Sequence, residues 1–409
     1  MYSVPATTPY RFCHIEGEHA LEEYAALLRL AFPGEAVNVL GKRLYDVYPG
    51  MSPRNFFSLW DGDRMVATLN LIPMIWSLEG VPLSVAEMGL VATHPKYRHR
   101  GLQRLLNTEF DKRLVEDGYD LAAIEGIPYF YRQFGYEYSV TLDEWASIPL
   151  AKLPTQAMPG ISPLQTEEIS VAMSLLKASQ IKYLVQSIRS PQEWATQEKA
   201  GILGEHKSTT YTVKVGGNIS AYFRVGIESK IVLLHEIAET SASTSTMIAA
   251  FLRRLGEENG ATELVSRESY IEHFSKYLIE LGATKRRPYA WQTKVIDHAQ
   301  ILEKIKPVFE ERIKHSNLNG YTGTIPLNLY FATLTLSFEN GVLLCVKRSP
   351  SEQKGDIKVN PKVFPKMLLG SRSIGELEAE YPDVTVSPQY REIMNIMFPK
   401  GESHIHTTY

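Results

Sequence analysis

Apolar residues at Leu21, Tyr24, Leu27, Leu28 and Phe32 recur at spacings of three and four, which predicts a helix over 19–32. From Phe56 to Pro95 the pattern changes to strand-like runs. Two turn signals, Asp61-Gly62-Asp63 and Glu79-Gly80-Val81-Pro82, cut that stretch into three strands. After Gly101 the helical period returns through Leu102, Leu105, Leu106, Phe110 and Leu114. A short apolar strand over 119–126 follows. The aromatic-rich segment 129–148 then reads as a turn of helix and a final strand. These elements make one α+β domain over 1–150.

Pro154, Pro159, Gly160 and Pro163 mark a linker. The next block, 151–292, shows two hairpin-like strand signals over 211–226 and 229–240. A helix over 245–260, a strand and a further helix complete it. Strand, helix, strand, aromatic helix is also the order of the first block, so an internal duplication is expected. The second block has "ETSASTSTM" where the first has a basic, glycine-containing turn. From 293 to 409 a helix, an alternating segment with a turn at Glu339-Asn340-Gly341, and a mixed tail form a third, smaller α+β domain.

With 409 residues, two or three domains are expected. The 43 Lys and Arg balance 46 Asp and Glu to a net charge of -3, which argues against a nucleic-acid partner over the whole surface. Cys13 and Cys345 stand far apart, without a C-x-x-C partner, so both are read as structural thiols of a reducing compartment. No apolar run approaches the ~20 residues of a membrane span, and the start of the chain has no basic-then-apolar leader pattern. The expectation is a soluble, cytoplasmic protein without a membrane partner.

The chemistry concentrates at "HPKYRHRGLQR", residues 94–104, where Lys96, Arg98, Arg100 and Arg104 surround Gly101. A helix N-terminus presents unpaired N–H groups and partial positive charge, and glycine lets a ligand approach the backbone. Arginines in that setting suit a diphosphate. The chain holds neither a Walker A loop nor a Rossmann G-x-G-x-x-G.

The stretch "GLVATHPKYRHRGLQRLL" resembles the acetyl-CoA-binding motif of the GNAT superfamily of N-acetyltransferases, [QR]-x-x-G-x-[GA]. Arg98, Gly101 and Gln103 take its defined places, and Gln103 departs from the usual Gly or Ala. The three-block layout and "FYRQFGYEY" resemble the enhanced-intracellular-survival (Eis-like) branch. That resemblance implies two tandem GNAT-like mixed-sheet domains, the second with a degenerate cofactor site, and a C-terminal sterol-carrier-protein-like α+β domain. The implied boundaries are 1–150, 151–292 and 293–409.

The resemblance also implies roles. Acetyl-CoA, the acyl donor, would be held by Val91, Ala92 and Thr93, by Arg98, His99, Arg100, Gly101, Leu102, Gln103 and Arg104, and by Ile124 and Glu125. Tyr131, opening Tyr131-Arg132-Gln133-Phe134-Gly135-Tyr136, would be the general acid, with Tyr129 as a substitute. The α-carboxylate of Tyr409 would be the base, with Glu87 and Glu125 as alternatives. His404 and His406 are read as surface groups, since no metal-ligand set accompanies them in the sequence. No metal is expected. The acceptor would be a small primary amine, such as an aminoglycoside or polyamine, and the assembly a homo-oligomer, with the hexamer as one expectation. A non-catalytic protein binding an apolar ligand in its C-terminal domain is the competing reading.

Overall fold

In the computed structural model the described residues are 9–141, 145–156, 159–286, 289–351 and 355–409. The first sheet carries the elements that position the site. Its strands β1 (Arg11–His14), β2 (Phe56–Asp61), β3 (Arg64–Leu78) and β4 (Val81–Thr93) form an antiparallel meander. Both expected turns are present. Gly62 adopts φ 59°, and Glu79 and Gly80 adopt φ 45° and 90°, the left-handed pair that a tight hairpin requires. Strand β5 (Leu121–Ile124) pairs parallel to β4, and β6 (Glu137–Thr141) lies further out. Helices α1 (Glu18–Ala31) and α2 (Val37–Val47) pack beside the meander, and α3 (Leu102–Glu116) follows β4. The apolar stripe read for the first helix does point inward at Tyr24, Leu27 and Leu28. Helix α2 was not foreseen.

Between β5 and β6 sits a strand from far along the chain, Ala290–Val295, antiparallel to both. The second sheet has the mirror arrangement of this borrowing. It runs in the order Ile161–Pro163, Thr209–Val215, Asn218–Glu228, Ile231–Glu239, Glu263–Ser266, Ala146–Pro149, Thr284–Lys285. The strand order of the first sheet therefore recurs, with Ala146–Pro149, from the N-terminal block, in the sixth place. Each sheet lends its neighbour one strand. The sequence boundaries at 150 and 292 do not separate the two sheets.

The remainder forms a five-stranded sheet in the order Val342–Ser349, Thr333–Glu339, Gly323–Asn328, Ile357–Lys358, Thr385–Val386, with helices around it. Its core is continuous with the back of the first sheet. Ile301, Phe309, Leu327 and Met394 belong to the same buried cluster as Trp76, Leu83 and Val85. The last residues return to the first sheet: Ser403–His404 pairs with Val185–Ile188, which pairs with β3. Among the described residues no helix is long and apolar enough to cross a membrane.

Candidate active site

Strand β4 is paired on both sides only as far as Glu87. There it is opposite Ile72 of β3 and Ala123 of β5, the last parallel pair with β5. Beyond it the register with β3 shifts between Thr68 and Asn70, and Leu90 takes a left-handed φ of 49°. A bulge of this kind bends a strand and re-aims its backbone. The two parallel strands part, and the flank of β4 at Leu90–Thr93 is left open toward the start of α3.

A cavity of about 560 Å³ fills this gap. Val91, Ala92, Thr93, Arg98, His99, Gly101, Leu102, Gln103 and Arg104 line it, with Ile127, Phe130 and Tyr131 on the far side. The turn at its mouth contains two left-handed residues, His99 at φ 64° and Gly101 at φ 75°, the latter capping α3. Alternating hands turn successive amides toward one point, which makes an anion nest, and the α3 N-terminus adds its dipole.

Gln103 acquires a physical role. Its Nε2 donates to the Ala92 carbonyl at 2.8 Å and to Thr93 Oγ1 at 3.0 Å, and reaches the Thr68 carbonyl at 3.3 Å. The side chain ties the first turn of α3 to the bulged end of β4, something a Gly or Ala there could not do.

Not every expected residue reaches the cavity. Arg100 turns aside, donating to Tyr10 Oη and the Lys96 carbonyl and stacking on Tyr97. Ile124 and Glu125 lie where β5 ends, and neither is among the residues that line the cavity. Tyr129 is 76% exposed, so its ring points to solvent rather than to the gap. Tyr131 is buried, and burial pushes its phenol well above the ordinary value, so it stays a proton donor. A Cβ on Gly126 would fall 2.2 Å from the Tyr131 ring, so this glycine makes room for it.

The chain terminus is buried beside β4. The Tyr409 phenol donates to Glu87 Oε1 at 2.9 Å, and its ring meets Tyr48 edge-on. The terminal carboxylate lies elsewhere: one oxygen accepts the Gly204 amide at 2.6 Å, on a hairpin whose carbonyls Arg43 binds. Glu87 is 3% exposed and its Oε2 has no hydrogen-bond partner. Burial raises its pKa to about 7; the Tyr409 bond lowers it and Glu205 raises it. A carboxylate that titrates near neutrality in a closed site is a feature of proton-transfer centres.

Residues 16–139, the bulged strand, the nest and the tyrosine turn included, match a family model. It is that of an acetyltransferase (GNAT) domain. That match covers the N-terminal domain and supports an N-acetyltransferase, with which acetyl-CoA as acyl donor is consistent. The whole fold is similar to a GCN5-related N-acetyltransferase from Anabaena variabilis, at TM-score 0.74 and 15% identity over 98% of this chain and 100% of that one. Eis1 from Mycobacterium abscessus is similar at TM-score 0.63 and 13% identity, over 98% and 100%. Saccharomyces cerevisiae N-myristoyltransferase, solved with myristoyl-CoA bound, is similar at TM-score 0.53 and 15% identity, over 71% and 83%. At these identities the likeness is one of fold. No curated protein sequence matches the chain.

The second sheet has the same parting of parallel strands, since Ile231–Glu239 and Glu263–Ser266 pair only to Leu234 and Ser266. There the buried Glu268 carboxylate accepts the Ile237 amide at 2.9 Å and occupies the open flank. The helix beyond begins after Ser241, with no acidic or basic residue in its first turn. His404 and His406 are not surface groups. Both are buried, next to Glu268. No regularity of the sequence links Glu268 to two histidines more than 130 positions later.

Proposed function

We propose that the protein transfers acetyl from acetyl-CoA directly to a cationic primary amine, with Glu87 as the base. The reading is carried by the parted β4–β5 cleft with its anion nest, together with the buried Glu87 four positions before Val91 on the same strand. The pyrophosphate would sit on the turn His99–Gln103 beside Arg98 and Arg104, and the pantetheine arm along Val91–Thr93, like an added strand.

Glu87 stands four positions before Val91 on the same strand, with one oxygen held by Tyr409 and the other uncommitted. It would take the proton of the attacking amine. A β4 amide near Val91 would stabilise the oxyanion, and Tyr131 would protonate the departing thiolate. The terminal carboxylate, tied to Gly204, then anchors the tail, and the Tyr409 phenol orients Glu87. Glu205 and Glu125 add negative potential around Glu87 and Tyr409, which favours a polyamine or aminoglycoside as acceptor.

The recurring strand order and the Glu268-filled second cleft support two tandem GNAT-like domains with one cofactor site, followed by a sterol-carrier-like domain. An Eis-like homo-oligomer in the cytoplasm completes the proposal. Isothermal titration with acetyl-CoA, followed by thiol release across an amine panel, tests it. One site per chain and turnover with a polyamine are expected. Absence of binding refutes the enzyme reading in favour of an apolar-ligand carrier.

A further inference from the structure

We propose that Glu268, His404 and His406 bind one divalent transition-metal ion, zinc by preference, which fastens the C-terminal tail to the second sheet. The three residues are buried and come from two segments far apart in the chain. Glu268 follows the strand Glu263–Ser266. His404 ends the short strand Ser403–His404, and His406 lies two positions on, so that an extended chain turns both rings to one side.

His404 Nε2 is 3.6 Å from Glu268 Oε2, and His406 Nε2 is 3.5 Å from Glu268 Oε1. One ligand atom from each residue lies within 4.8 Å of the others. Nitrogen–oxygen separations of this size are too long for good hydrogen bonds. They suit the edge of a tetrahedron around zinc, which is about 3.4 Å for bonds of ~2.0–2.1 Å. Two imidazoles and a carboxylate are a zinc-type donor set, leaving one position for water.

The electrostatics around the cluster agree. Arg189 and Arg224 are engaged by Glu236 and Glu198, and Lys182 by Glu272, while Tyr183 donates to Glu272 as well. The strong cations nearby are thus committed to other carboxylates, and Glu268 faces imidazoles. An outer layer of contacts is present too. Gln180 lies 3.0 Å from His406 Nδ1, Ser187 donates to the His406 carbonyl, and the Ile237 amide holds Glu268. With metal on Nε2, Nδ1 carries the hydrogen and Gln180 turns its amide oxygen to accept it. Gln180 and Ser187, which contact His406, also line a cavity of about 850 Å³.

The consequence falls on the active site, because Tyr409 lies three residues beyond His406. A metal that fixes His404 and His406 fixes the strand that delivers the Tyr409 phenol to Glu87. The full-length chain, stripped with a chelator and dialysed, is titrated with Zn²⁺ by calorimetry and metal content is measured by mass spectrometry. One zinc per chain is expected, together with a higher melting temperature. His406→Gln and Glu268→Gln, made separately, should each weaken zinc binding by at least about tenfold. Carboxypeptidase should release Tyr409 more slowly from the zinc-loaded chain than from the stripped one. Sub-stoichiometric zinc on the unaltered chain, or binding by both variants as tight as by the unaltered chain, overturns the site; equal release rates overturn the fastening role.

Discussion

Glu87→Gln gives the most demanding test of the active-site reading, because activity and stability should move in opposite directions. Burial raises the Glu87 pKa from 4.5 to about 7. Holding the ionised side chain in the fold at alkaline pH therefore costs roughly 3–4 kcal/mol, from about 1.4 kcal/mol per tenfold change in proton affinity. The sign follows from a folded pKa above the unfolded one. Folding carries no Glu87 penalty below about pH 4.5, and the penalty grows as the pH rises through about 7. Glutamine keeps an oxygen for the Tyr409 phenol and removes the charge. The variant should melt higher than the parent at pH 8, by an amount that shrinks toward pH 5.

Its catalysis should fall by roughly 10²–10⁴-fold, the usual contribution of a general base. In the parent, Glu87 passes from mostly protonated to mostly ionised as the pH rises through about 7. The profile of kcat/KM against pH should bend near 7, and the bend should vanish in the variant. Thiol release with acetyl-CoA and a polyamine gives the rates, and scanning calorimetry gives the melting temperatures. Activity within twofold of the parent, or an unchanged bend, removes Glu87 from the mechanism.

Tyr131→Phe should lower kcat by about 10²-fold or more with little change in the Kd for acetyl-CoA, read by turnover and calorimetry; unchanged kcat excludes the phenol as proton donor. Gln103→Ala removes the contacts to Ala92, Thr93 and Thr68, so stability should drop by about 1–3 kcal/mol and the KM for acetyl-CoA should rise, checked by chemical denaturation and steady-state kinetics. Glu236→Gln leaves the buried Arg189 and Arg224, which both stack on Trp194, short of a counter-charge; a loss of roughly 3–5 kcal/mol is expected by denaturation.

Local patterns determined much of this protein. The stripe of the first helix, the Gly62 and Glu79-Gly80 turns, the Leu102–Leu114 helix and the basic turn with Gly101 depend on backbone preferences and spacing that act within a few residues. They stand in the structure where the sequence placed them. The cofactor cleft was legible for the same reason, since ten of its lining residues lie within 91–104.

What the tertiary structure decided involves pairing at a distance. Ala146–Pro149 and Ala290–Val295 are short alternating strands of similar character, and either pattern fits either sheet. Only packing reveals that each fills its neighbour's sixth place. Arg100 sits in the motif, yet its side chain leaves the cavity because Tyr10 and Tyr97 offer it a stacking site. The terminus shows the same limit most clearly. The sequence marked Tyr409 as special, but whether its phenol or its carboxylate faces Glu87 depends on Gly204 and Arg43, some 200 and 360 residues away. Contacts between such distant residues leave no periodic trace in the chain. Burial creates them, and burial is a property of the assembled fold.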